Sequence, residues 1–289
     1  MKILFIGTVE FSLNALRALL INGKNVITKN ESNFNADFAD LVPTCEQYHI
    51  PYKFVRDINH PNNLKFIKDV KPDVIYCFGW SSLLKSDLLS IPRYGVIGFH
   101  PARLPFNRGR HPIIWTLCLG LSETASTFFF MDEGADTGDI LSQEIIHVGK
   151  EDDAKSLYDK ITNVAICQVL KFTDDLEQNS YSRIPQLEEG NCWRKRGKRD
   201  GQIDFRMSSD SIYNLVRALT RPYVGAHVCL GEHEFKVWKC DIVAEFHEND
   251  EPGKILKIEG KEIVIKTADG AIRFLDHEIT VLLNVNEYL

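Results

Sequence analysis

Short runs of apolar residues alternate with amphipathic stretches along the first hundred positions. Lys2-Ile-Leu-Phe-Ile-Gly7 is an apolar run closed by glycine, and Asn14 to Leu20 carries apolar positions at helical spacing, so a strand turns into a helix. The alternation returns at Pro51–Val55, Leu64–Val70, Asp73–Phe78, Leu83–Leu89 and Gly95–Phe99. Runs that are apolar at successive positions suit strands buried on both faces, and repeated strand–helix alternation implies parallel strands joined by crossover helices. Ligands of such sheets sit outside the carboxyl ends of the strands, which directs attention to the residues after Phe5, Phe78 and Phe99.

Further along, Asp152 to Leu176 places Leu157, Ile161, Val164, Ala165, Val169 and Leu170 on one helical face, a long amphipathic helix that covers the sheet. From about Tyr223 the period changes. Ala226–Leu230, Glu234–Trp238, Lys254–Ile258, Glu262–Thr267 and Ala271–Leu275 are short alternating segments separated by glycine and acidic turns. The predicted fold is therefore α/β, a Rossmann-like, mostly parallel sheet flanked by helices, with a small C-terminal all-β module of barrel-like character. A chain of 289 residues suits two domains, divided as a catalytic domain over 1–200 and a smaller one over 201–289.

Composition narrows the function classes. Charged residues at 26% and hydrophobic ones at 44% describe an ordinary globular chain. A net charge of −6 argues against a partner held by neutralising many phosphates, so no nucleic acid is expected. Seven cysteines are scattered without a C-x-x-C pair, which suggests reduced thiols, a cytoplasmic setting and no metal. No apolar stretch is long enough to span a membrane, and the first is too short for a signal peptide. The Gly7-Thr8 corner offers one glycine where a dinucleotide fingerprint needs three, and reads as a tight turn.

Two loops carry the chemistry. Phe99-His100-Pro-Ala-Arg-Leu-Pro-Phe-Asn107-Arg108-Gly-Arg110-His111-Pro112 follows a buried strand, and its three prolines make it rigid. His100 stands at the strand end, where an imidazole can act as acid, base or charged donor; alone it reads equally as a structural histidine. The second loop, Met131-Asp132-Glu-Gly134-Ala135-Asp136-Thr-Gly138-Asp139, is a tight acidic turn after another apolar run. A solvated hairpin tip and a calcium loop are the alternatives, although the calcium ligand order is absent.

Taken together, the Gly7-Thr8 corner, the His-Pro-x-x-Leu-Pro-x-x-Arg-Gly loop at His100–Gly109 and Asp-x-Gly-x-Asp-Thr-Gly at Asp132–Gly138 resemble the folate-dependent formyltransferases. The family's catalytic His and Asp lie thirty-six positions apart, which selects Asp136 here. Farther on, Arg196–Asp204 and Asn214–Ala226 resemble the linker and the start of the C-terminal module in methionyl-tRNA and nucleotide-sugar formyltransferases. One departure stands out: the family has Asn-x-His, and Gly98 occupies the asparagine position. That amide ordinarily helps hold an oxyanion, a contribution of roughly 10²–10³ in rate. A glycine admits a backbone amide or a water, and Asn107 and His111 are nearby polar candidates.

The resemblance implies that His100 stabilises the oxyanion while Asp136 orients or charges it and takes the amine proton. The implied cosubstrate is 10-formyltetrahydrofolate, with Gly79, Trp80, Leu83 and Leu84 walling its pocket and Asp132, Gly134 and Ala135 closing it; plain core packing is the alternative for Trp80. Asn107, Arg108, Arg110 and His111, with Arg221 and Tyr223 on the second module, suit a nucleotide-linked amino sugar, which needs cations for its diphosphate and an aromatic stacking face. The basic run Trp193–Arg199 is the feature that would suit tRNA, but it coincides with the linker. The expected reaction is formylation of a dTDP-4-amino-4,6-dideoxyhexose or similar sugar for surface polysaccharide such as O-antigen, by a homodimer. Methionyl-tRNA formylation is the alternative, and an inactive nucleotide-sugar binder or a formyl hydrolase is the reading that Gly98 suggests.

Overall fold

The computed structural model describes residues 1–19, 24–31, 37–244 and 246–289, and the chain divides into two compact units. The first comprises Met1–Pro112, Thr124–Ile146 and Asp159–Trp193, and the second Ile113–Glu123, His147–Tyr158 and Arg194–Leu289.

In chain order the elements up to the acidic turn are β1 (Ile3–Gly7), α1 (Glu10–Ala18), β2 (Lys24–Thr28), α2 (Val42–Gln47), β3 (Tyr52–Phe54), α3 (Pro61–Val70), β4 (Val74–Phe78), α4 (Ser86–Leu89), β5 (Val96–His100), β6 (Arg108–Gly109), α5 (Pro112–Cys118) and β7 (Glu123–Phe130). Then follow β8 (Ile140–His147), α6 (Ala154–Glu177) and β9 (Cys192–Trp193). Seven strands form one sheet in the order β3-β2-β1-β4-β5-β7-β8. Strands β3 to β5 run parallel, and β7 joins β5 antiparallel, with Gly98 opposite Phe129 and His100 opposite Thr127. Chain order reverses between β1 and β4, where such sheets open a crevice at their carboxyl ends.

Period-two alternation sorts the strand residues into two cores. Leu4, Ile6, Ile75 and Val96 face Ile58, Ile67, Leu84 and Leu88. The alternate positions build a column of rings: Phe11 and Phe99 lie 4.2 Å apart, Phe99 and Phe128 4.9 Å, and Phe128 and Phe172 of α6 4.8 Å. A buried hydrogen bond of 2.8 Å joins the Tyr76 hydroxyl to Thr173 of α6.

Three elements differ from the sequence reading. Strand β2 had no clear signal, because Lys24-Asn25 opens it with polar residues. The first helix starts earlier than expected, at Glu10, and its expected end at Leu20 lies outside the described residues. The helix expected over Leu83–Leu89 shrinks to Ser86–Leu89. Asn59 explains this: its amide donates to the Leu83 carbonyl at 2.9 Å and accepts from the Lys85 amide at 2.9 Å, which holds the chain extended before the helix.

In the second unit, α7 (Ser209–Leu219) precedes β10 (Ala226–Leu230), β11 (His233–Val243), β12 (Ile255–Glu259), β13 (Glu262–Lys266) and β14 (Ala271–His277). These form an antiparallel sheet in the order β10-β11-β14-β13-β12. The module is thus a sheet with one helix packed on it, buried through Ile212, Leu215, Val216 and Leu219. Strand β11 continues past Trp238 through an irregular register to Val243. Among the described residues no helix is long and apolar enough to cross a membrane.

Candidate active site

The loops after β1, β4 and β5 leave the carboxyl end of the parallel strands, and the acidic turn, which leaves antiparallel β7 beside Val96, reaches back to His100. After β1, the Thr8 hydroxyl donates to the Gly79 carbonyl at 2.9 Å and the Ser12 hydroxyl to the Phe78 carbonyl at 2.6 Å, which ties the first turn to the loop after β4. Gly79 has φ +64°, and a side chain there would strike Val9, so glycine is required for this approach. Beyond it, Leu84 is buried, Leu83 is 67% exposed, and Trp80 packs half-buried on the apolar cluster with Lys29 Nζ 4.6 Å from its ring centre. Among the described residues the buried Trp80 indole N–H has no hydrogen-bond partner. An unsatisfied donor of this kind is unfavourable in a packed core and suits a wall awaiting a polar ligand.

His100 ends β5 and is only 4% exposed. Its Nε2 donates to the Asn107 carbonyl at 2.7 Å, and its Nδ1 lies 3.5 Å from Asp136 Oδ2. Both ring nitrogens therefore face oxygen atoms. Asp136 Oδ2 also accepts the Gly109 amide at 2.9 Å, so the loop bearing His100 grips the carboxylate. Asn107 and Asp136 have φ of +64° and +59°, left-handed conformations that cost energy and persist where surrounding bonds hold them. Behind the histidine, Gln143 donates to the Leu104 carbonyl and to Thr127 Oγ1, both at 3.0 Å, and Thr127 donates to the Ala102 carbonyl at 2.7 Å.

The acidic turn is a closed hairpin. The Phe130 amide donates to the Asp139 carbonyl at 2.8 Å, and a side chain at Gly138 would overlap the Phe130 carbonyl. Asp132 accepts from the Gly134 amide at 2.9 Å and the Thr137 hydroxyl at 2.6 Å, so one of its oxygens shapes the turn. Gly134 and Ala135 are exposed at its tip.

Of the residues expected to bind substrate, Asn107, Arg108, Arg110 and His111 share the His100 loop. Arg110 is exposed and donates to the Ser81 carbonyl at 3.4 Å, joining this loop to the one after β4. Arg108 turns instead to Gln186, which accepts from its Nε at 3.2 Å and its Nη2 at 2.7 Å. Arg221 and Tyr223 belong to the second unit, where Arg221 pairs with Asp276 at 3.0 Å and stacks over Trp238 at 4.2 Å.

Gly98 is buried, and a side chain there would crowd Met131 and Phe129. A Cβ there would stand 2.8 Å from Met131 Cγ and 3.0 Å from Phe129 Cζ. A thioether chain and a ring thus lie where a side chain at this position would begin.

The sequence reading missed the segment 184–193. It follows the His100 loop, pairing Arg108 with Cys192 and Gly109 with Trp193, and Asn191 Oδ1 accepts the Asn107 amide at 2.8 Å. Its signal was slight: Pro185-Gln186 and Gly190-Asn191 within a stretch of linker-like composition. Among the described residues no group of three or more His, Cys, Asp or Glu side chains could hold a metal.

The chain matches the family model described as formyl transferase over residues 2–170 and the formyl transferase C-terminal domain over residues 195–281. It is 29% identical to the methionyl-tRNA formyltransferase of Caldanaerobacter subterraneus subsp. tengcongensis, aligned over 100% of this chain and 96% of that one. To the same enzyme of Geobacter metallireducens it is 31% identical over 94% and 89%. In fold it resembles the N-formyltransferase of Helicobacter canadensis, solved with folinic acid and dTDP-3-aminofucose. The TM-score is 0.72 and identity 19%, over 95% of this chain and 98% of that one. The pairing of the His100 loop with the acidic turn and the match across both domains together place the chain in the formyl transferase family, as an enzyme that transfers a one-carbon formyl group.

Proposed function

We propose that this protein moves a formyl group from 10-formyltetrahydrofolate to the amine of a nucleotide-linked amino sugar, with His100 and Asp136 as catalytic residues. The observation that carries the catalytic part is the approach of His100 Nδ1 to Asp136 Oδ2 at a buried strand end, across two loops that are locked to each other. When bound, the folate supplies an activated formyl carbonyl. Gly79, Trp80 and Leu83 would hold it, and the unpartnered Trp80 indole N–H supports the fit.

Transfer requires an uncharged amine, a fixed approach to the formyl carbon, and a donor where negative charge develops on the formyl oxygen. The proton on His100 Nε2, now given to the Asn107 carbonyl, is the one to be redirected to that oxygen. Asp136 accepts the proton that the attacking nitrogen loses, directly or through a water. The new C–N bond forms as the bond from the formyl carbon to the folate nitrogen breaks, and that nitrogen takes up the proton. With Met131 and Phe129 filling the space beside Gly98, no amide from β5 shares the work of His100.

The sugar is favoured over tRNA by the state of the basic run. Arg194 holds both oxygens of Asp200, Arg196 donates to the Asp200 carbonyl and lies over the Trp115 ring at 4.5 Å, and Lys198 pairs with Glu234 at 2.7 Å. Arg194 and Lys198 are each paired with a carboxylate within the second unit, which reduces the charge that the run offers a polyanion. The 29–31% identity to methionyl-tRNA formyltransferases over 94–100% of the chain supports tRNA as the second reading. The test is a screen of dTDP-, UDP- and GDP-linked amino sugars and of methionyl-tRNA with 10-formyltetrahydrofolate, with product masses recorded. A formylated sugar supports the proposal; formylated methionyl-tRNA alone supports the second reading; formate released without any amine would make the protein a hydrolase.

A further inference from the structure

Gln186 occupies a place in the site that only a slight sequence signal marked. Its side-chain Nε2 donates to the Asp136 carbonyl at 2.9 Å and to the Gly138 carbonyl at 2.7 Å, while its Oε1 accepts from Arg108 Nε at 3.2 Å and Nη2 at 2.7 Å. Both amide hydrogens and both lone pairs are thus used. The orientation of the amide is determined as well, because the flipped form would set its oxygen against two carbonyls and its NH₂ against a guanidinium.

These bonds close a ring. From the Asp136 carbonyl the ring runs through Gln186 to Arg108, along the backbone to the Gly109 amide, and back to Asp136 Oδ2. Asp136 is left-handed at φ +59°, and Gln186 is the side chain bonded to its carbonyl there. The segment bearing Gln186 is itself fastened at both ends. The Ile184 amide and carbonyl exchange bonds with Ile140 at 2.9 and 2.8 Å, the Arg108 amide donates to the Asn191 carbonyl at 3.1 Å, and the Arg110 amide donates to the Trp193 carbonyl at 3.0 Å. A neutral amide that joins a catalytic carboxylate's backbone to the loop bearing its partner histidine resembles the outer support that active sites need to hold geometry.

We infer that Gln186 is a positioning residue for formyl transfer, which holds the Asp136 carboxylate against His100 by way of the acidic turn and engages Arg108 as a brace of the site. The inference rests on the reading of His100 and Asp136 as the reacting pair. It assigns Arg108, grouped by the sequence with the substrate-binding residues, to the scaffold through its bonds to Gln186.

The test compares Q186A, Q186E and D136N with the double variant Q186A/D136N, in the full chain. Q186E keeps the volume and the bond to Arg108 but sets a carboxylate against two carbonyls. Melting curves identify variants that fold, and Q186E serves should Q186A fail to. The first readout needs no ligand: the ring-nitrogen NMR signals of His100 in ¹⁵N-histidine-labelled protein. Q186A and Q186E are expected to move them in the direction D136N does, and the double variant to match D136N alone. The second is turnover with 10-formyltetrahydrofolate and dTDP-4-amino-4,6-dideoxyglucose. The expected loss in kcat is about 10- to 100-fold in either Gln186 variant with KM within about threefold, and less than about threefold further in the D136N background, as for residues acting as one unit. If D136N moves the His100 signals and neither Gln186 variant does, or the kcat losses multiply in full, the inference is wrong while the reacting pair stands. If D136N leaves His100 unmoved, the pair itself falls, and the inference with it.

Discussion

Two clusters of charged side chains, one in each unit, are built on opposite plans. In the second unit Arg194 meets the Asp200 carboxylate, Lys198 the Glu234 carboxylate and Arg196 the Asp200 carbonyl, all near the surface. At the end of β5, His100 and Asp136 stand 3.5 Å apart, and each is held chiefly by backbone: the Asn107 carbonyl for one and the Gly109 amide for the other. The first plan spends its ionic groups on each other and leaves little for a ligand. The second orders the imidazole and the carboxylate with neutral dipoles and leaves 3.5 Å between them. Charge alone therefore does not mark the functional cluster; the kind of group that holds the charge does.

The largest effect expected from breaking this contrast is at the site. H100N and D136N should each lower kcat by roughly 10²–10³ with unchanged melting temperature, as expected for a donor or acceptor used where charge develops. Steady-state kinetics beside thermal melts check this, and equal losses of kcat and stability would return both residues to a packing role. Next, G98N should destabilise the chain by about 1–3 kcal/mol through overpacking against Met131 and Phe129, without raising activity. The added mutation M131A should recover part of that loss in urea titrations, whereas a G98N protein as stable as wild type would show that the space is open.

The smallest effects belong to the second unit. R194A should cost no more than about 1 kcal/mol, the ordinary worth of an exposed pair. Glu234 is held down at about 2 by hydrogen bonds from Lys198 and then Lys236, against an ordinary value of 4.5. Its contribution is therefore complete above pH 4.5 and fades as pH falls toward 2. The gap in melting temperature between wild type and E234Q should narrow over that window; a gap that is constant from pH 7 to pH 3 would mean the pairing contributes nothing.

Much of this contrast was legible in the sequence. Strands such as β1 and β4 were readable because every position is apolar, which happens only when both faces are covered. The β strands of the second unit were readable for the opposite reason, their alternation with polar residues. His100 and Asp136 stood out through the prolines and glycines around them and through their spacing. Gln186 was illegible because its role depends on main-chain carbonyls of Asp136 and Gly138, which any residue supplies and no motif records. The partner of Arg108 was illegible for a related reason: a cation on this loop reads as ready for phosphate, and the amide that it bonds lies far along the chain. The filling of the space at Gly98 was hidden too, since Met131 reads as an ordinary apolar residue at a strand end.

The measurement closest to the central claim is mass spectrometry of a dTDP-linked amino sugar incubated with 10-formyltetrahydrofolate and either wild-type protein or H100N. A sugar that gains one formyl group with wild type and almost none with H100N is the predicted result. Formylation that proceeds equally well in both proteins, or that occurs on methionyl-tRNA while every amino sugar is left untouched, would contradict it.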